Sequence, residues 1–186
     1  MLGIFEEPHG QTYDDLLRFA AANCATFSLT WHLGRYKSTA HQIGQELTPY
    51  CISQKLTDHW PGTTRLHYSE KQPNPIHGRY RIARPKGILL RTYQAAPPAI
   101  DVLQSVGSLY AWLGPDRPED LAFYLPDGST FLASVAHEEL SWFMSDMFTQ
   151  ETIRRNMPGL SLYDEYERSK EEELMRGMSG DRHNRQ

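Results

Sequence analysis

From Tyr13 onward, apolar residues recur at helical spacing through Leu16, Leu17, Ala20, Ala21 and Cys24, and they form one stripe along a helix. Thr12 stands where an N-cap belongs, with Asp15 three residues later near the capping-box position. At Thr26 the period changes to two. Phe27, Leu29, Trp31 and Leu33 alternate with Ser28, Thr30 and His32, which predicts a half-buried strand with one face in water. Between Ser38 and Trp60 the spacing turns helical again through Ile43, Leu47, Tyr50 or Cys51, and Leu56. Thr48-Pro49 has the chemistry of an N-cap and a first helical position, so two helices are expected to meet there. Trp60-Pro61-Gly62 stops the second.

Further along, Thr64, Leu66 and Tyr68 alternate with Arg65 and His67, and Tyr80 and Ile82 alternate with Arg79 and Arg81. Pro85-Lys86-Gly87 turns into the apolar run from Ile88 to Tyr93, which suits a central strand. Together these predict a three-stranded antiparallel meander. Pro97-Pro98 opens a helix with apolar positions Ile100, Leu103, Val106, Tyr110 and Leu113, stopped by Gly114-Pro115. Leu121, Phe123 and Leu125, the turn Pro126-Asp127-Gly128, and Phe131, Ala133 and Val135 form the strongest hairpin signal in the chain. A helical region is expected from His137, with Glu138 and Glu139 in its first turn, and a second segment from Thr149 to Pro158-Gly159. The fold class is therefore α+β, a mostly antiparallel sheet of about five or six strands with helices packed on it. Residues 1–159 are expected to form a single domain. Residues 160–186, rich in charge from Tyr163 to Glu173, are expected to add a helix and a frayed tail.

Composition narrows the function classes. The chain has 186 residues, 39% of them hydrophobic and 23% charged, as in an ordinary globular domain. A net charge of -4 disfavours a dedicated nucleic-acid binder. The opening MLGIFEEPHG has neither the basic nor the apolar region of a signal peptide. No apolar run reaches the roughly 18 residues of a membrane span. The expected location is the cytoplasm, with no membrane partner. Cys24 and Cys51 are too few for a disulfide scaffold and lie on apolar stripes, so both are expected to be reduced core thiols rather than nucleophiles.

Several constellations bear on chemistry. Lys37-Ser38 resembles the end of a phosphate-binding loop, but Tyr36 and Trp31 occupy its glycine positions, and the motif fails. His137-Glu138-Glu139 places an imidazole beside carboxylates, the chemistry of a general base, although Ser141 stands where a zinc-protease helix needs its second histidine. The other histidines lack the spacing of a metal site, and neither metal nor cofactor is expected. His32 and His67 fall on polar strand faces, where Arg65 or Arg79 would be neighbours if the strands paired. Residues 65–91 carry seven Lys and Arg against the single acid Glu70, with Tyr68, Tyr80 and Tyr93 interleaved or adjacent. Such a stretch suits an acidic protein partner or single-stranded nucleic acid. Glu171 to Glu173 would supply a clasp for it within the chain, or a solvated helix face.

The expected function is a non-enzymatic protein-binding module, an inhibitor or immunity-type protein that masks its partner through Arg79, Arg81, Trp60 and Arg65. One alternative is a small hydrolase-like enzyme using His137 and Glu138. The other is nucleic-acid binding through strands 65–91.

Overall fold

A computed structural model describes residues 2–32, 36–57, 88–144 and 147–164. The first apolar stripe forms helix α1 (Gly10–Asn23), which buries Tyr13, Leu16, Leu17 and Ala20. The alternation after it forms strand β2 (Thr26–His32). Ahead of both lies β1 (Leu2–Ile4), too short to show a period. Helix α2 (Ser38–Leu47) follows, then a 3₁₀ turn Thr48–Tyr50 with Pro49 at its start. The remaining elements are β3 (Cys51–Thr57), β4 (Ile88–Gln94), α3 (Pro97–Gln104), β5 (Glu119–Tyr124) and β6 (Thr130–Val135). A 3₁₀ turn Ala136–Glu138, β7 (Leu140–Phe143), α4 (Gln150–Asn156) and β8 (Leu162–Asp164) complete them.

Among the described residues the sheet has eight strands in the order β3-β4-β2-β5-β6-β7-β1-β8, more than the five or six expected. Every pairing is antiparallel, and the class is α+β as expected. The difference arises at short strands. β1, β7 and β8 have three or four residues each, so they reveal themselves only through their partners. Residues 162–164 thus add a strand beside β1, and the remainder of the charged stretch lies outside the described residues.

Two expected helices are strands instead. The stretch after Pro49 becomes β3, laddered to β4 from Cys51 to Thr57. Its apolar residues Ile52 and Leu56 are four apart, a spacing that fits a helix and a strand equally well. After Val135, Glu139 takes φ 53 and reverses the chain, so Leu140–Phe143 returns along β6 rather than continuing a helix. The helix after Pro97 also ends earlier than expected. Gly107 adopts φ 85, and its carbonyl accepts from Gly10 N at 2.9 Å, so backbone bonding passes to the residue 7–10 segment. Of the expected meander, Ile88–Gln94 is a strand between β3 and β2, and the other two predicted strands lie outside the described residues.

The core lies between the helices and one face of the sheet. Leu16, Leu17 and Ala20 of α1, Ile43 and Leu47 of α2, and Ile100 and Leu103 of α3 meet Phe27, Leu29, Trp31, Phe123 and Phe131. Two polar bridges cross this apolar layer. Trp112 Nε1 donates to Tyr13 OH at 2.7 Å, and Tyr13 OH donates to Leu103 O at 3.1 Å. Trp31 Nε1 donates to Tyr93 OH at 3.0 Å.

The other face of β2 was expected to be wet, yet Ser28 and Thr30 are fully buried. β2 is an interior strand, flanked by β4 on one side and β5 on the other. Tyr124 lies across Ser28, with the two hydroxyls 2.9 Å apart.

Candidate functional site: a carboxylate and histidine cluster between β2 and β5

β2 and β5 run antiparallel with Thr30 opposite Glu119, and the register shifts between Ser28 and Thr30. This brings the end of one strand against the start of the other. His32 Nε2 lies 3.1 Å from Glu119 Oε2, with the side chains only 18% and 15% exposed. Glu119 Oε1 also accepts from Gly114 N at 3.2 Å. A Cβ at Gly114 would come within 2.5 Å of that oxygen, so glycine lets the loop close on the carboxylate. Tyr36 OH accepts from His32 N at 2.7 Å and donates to Thr30 O at 3.2 Å, which fixes the phenol over the strand end. Burial pushes the Tyr36 hydroxyl up to about 12, with Glu119 and Asp120 adding to the rise.

Asp120 is the least ordinary residue of the cluster. Its φ is 56, in the left-handed region that non-glycine residues seldom adopt. The residue is 2% exposed. Oδ1 accepts from Ala136 N at 2.8 Å, whereas Oδ2 is buried without a hydrogen-bond partner. Burial raises the carboxyl to about 7; the bond from Ala136 N opposes this, and the negative charges of Glu119 and Glu138 reinforce it. Positive φ, an unsatisfied buried oxygen and a raised carboxyl pKa together single out Asp120 as a candidate functional residue.

The expected pair His137 and Glu138 belongs to the turn that Asp120 holds. Their side chains are 45% and 46% exposed, and His137 Nε2 lies 3.7 Å from Glu138 Oε1. They sit on a 3₁₀ turn rather than in the first turn of a longer helix. Among the described residues no group of three or more His, Cys, Asp or Glu is arranged to hold a metal ion. Trp60, Arg65, Arg79 and Arg81 lie outside the described residues, as does His67. Cys24 and Cys51 are both free. Burial pushes the Cys24 thiol up to about 12, far from a reactive thiolate. Cys51 begins β3 rather than lying in a helix.

Sequence reasoning singled out His32 and the His137-Glu138 pair but missed Tyr36, Glu119 and Asp120. Glu119 and Asp120 stand just ahead of the Leu121 alternation and belong to no sequence motif. Their importance depends on a positive φ and on neighbours far away in the chain.

A second feature is β3, which pairs with β4 and ends the order of described strands. Ile52 and Leu56 on it are 59% and 66% exposed, with Ser53, Gln54 and Lys55 also exposed between them. Ile52 sits at the register shift between Cys51 and Ser53. No helix among the described residues is long and apolar enough to cross a membrane. No protein-family model, curated protein or solved structure matches the chain.

Proposed function

We propose that this chain is a cytoplasmic, non-enzymatic protein-binding module, an inhibitor or immunity-type protein that masks an acidic partner docked along β3. The supporting observation is the exposure of two large apolar side chains, Ile52 and Leu56, on the terminal described strand. An extended segment adding beside such a strand gains main-chain hydrogen bonds and covers both side chains. The acidic character of the partner follows from charge. Lys55 lies on β3, and residues 65–91, which include Arg91 of β4, carry seven basic side chains against one acid. Arg79, Arg81, Arg65 and Trp60 are the further contacts proposed from the sequence, since arginine and tryptophan dominate interface energetics.

Native mass spectrometry of the chain isolated gently from its own host tests this reading. The expected result is a retained acidic protein that binds at least roughly tenfold more weakly to Ile52→Lys/Leu56→Lys and to Arg79→Glu/Arg81→Glu. A bare chain, or a partner held equally by both folded double variants, would overturn it. Retained nucleic acid with steeply salt-dependent affinity would move the assignment to the basic stretch instead.

One observation favours a second reading, a small hydrolase-like enzyme using His137 and Glu138. The turn carrying them rests on Asp120, whose carboxyl at about 7 suits proton transfer near neutral pH. A small molecule retained by the wild type and lost from His137→Ala would support this reading. Full retention by that variant would remove it.

A further inference from the structure

Asp120 joins two elements that are otherwise held very differently. β5 is laddered on both sides, to β2 and to β6. The Ala136–Glu138 turn is short, exposes His137 and Glu138, and closes on itself through Glu139 N to Ala136 O at 3.2 Å. The bond from Ala136 N to Asp120 Oδ1 ties this turn to β5. The other oxygen of the same carboxyl, Oδ2, is buried where no protein donor reaches it.

We propose that Asp120 is a proton switch for this junction: with its proton the turn stays docked on β5, and on losing it to solvent the turn lifts to hydrate the carboxylate. The inference is independent of docking at β3. In the protonated state the carboxyl is neutral and Oδ1 still accepts from Ala136 N, so burial costs little. Ionisation leaves a carboxylate with a shielded oxygen, and the charges acting on it are unfavourable. Glu119 on its own strand and Glu138 on the turn are both negative. Tyr36, from the segment after β2, faces both Asp120 and Glu119 and stays neutral at these pH values. Arg91 of β4 acts on that phenol, and His32 of β2 is engaged with Glu119. No cation among these groups is bonded to Asp120. Relief therefore comes through water, and the element proposed to move is the turn, the tip of the β6–β7 hairpin beyond the Val135–Leu140 pair. Two ladders hold β5, whereas lifting the turn also separates Glu138 from Asp120. The carboxyl at about 7 places this change within the neutral range, so pH would alter how His137 and Glu138 are presented.

Hydrogen exchange of the full chain at pH 6 and pH 8, with each rate divided by its intrinsic value, tests the switch. The ionised fraction of a group titrating near 7 rises roughly tenfold across that interval. Amides of residues 136–139 are expected to lose protection by a similar factor, while the β2–β4 ladder does not change. Asp120→Asn should abolish the difference, since asparagine tolerates φ above zero and keeps the acceptor for Ala136 N. Should that variant fail to fold, Glu138→Gln serves in its place by lowering the midpoint of the wild-type transition. Equal protection at both pH values, an unchanged pH response in Asp120→Asn, or an unmoved midpoint in Glu138→Gln would overturn the proposal.

Discussion

Burial and two neighbouring carboxylates hold the Asp120 carboxyl at about 7, well above the 3.8 of a solvated aspartate. The folded state therefore keeps its proton at pH values where the unfolded chain has released it. Stability from this group is complete below the unfolded value, falls as pH rises from about 4, and is lost once pH passes about 7. The difference between the two limits is on the order of 4 kcal/mol, reduced to the extent that local opening hydrates the carboxylate. Asp120→Asn removes the titration. Urea unfolding at pH 5 and pH 8 should show the variant gaining stability relative to wild type at the higher pH. Equal wild-type and variant slopes against pH would contradict this account. Nothing in the order Pro118-Glu119-Asp120-Leu121 announces this behaviour, because the raised value comes from burial and from Glu138 on another element. Trp112 and Tyr13 teach the same point in the core, since their hydrogen bond joins residues 99 apart in the chain.

Among elements, packing of α2 on β2 decides more than helix propensity does. Gly44 faces Trp31 so closely that a Cβ there would stand 2.9 Å from the indole Cη2. The ring cannot retreat freely, because its Nε1 donates to Tyr93 OH and Arg91 stacks 4.8 Å from its centroid. Gly44→Val should therefore destabilise by about 1–3 kcal/mol through overpacking, read as a lower denaturation midpoint. An unchanged midpoint would mean that α2 stands off the sheet. α1, β2 and the β5–β6 hairpin are legible from a clean period, and α4 from its ends, the cap Thr149, which accepts from Thr152 N at 3.2 Å, and the stop at Pro158-Gly159. β3 and β7 were read as helices because segments of seven and four residues fit either period, and only the ladders to β4 and β6 choose between them.

On the scale of the whole molecule, the two ends of the described chain meet in one sheet. β1 lies between β7 and β8, and Phe5 N donates to Ser161 O at 2.8 Å. A Cβ on Gly3 would fall within the Tyr163 ring, so Gly3→Val should detach β8 from β1. Exchange should then accelerate at residues 2–5 and 160–164 while the β2–β4 ladder stays protected; uniform protection would show that the contact is dispensable. Hydrophobic periodicity by itself determined the α+β class, helix α1, the central hairpin and the core positions that lie on them. Local pattern suffices there because each such residue contributes its burial whatever its partner is. Only the tertiary structure decided the strand order, the number of strands, the burial of the second face of β2, and the cluster of His32, Tyr36, Glu119 and Asp120. Those features depend on pairing and desolvation between residues distant in the chain, and neither leaves a local period to read.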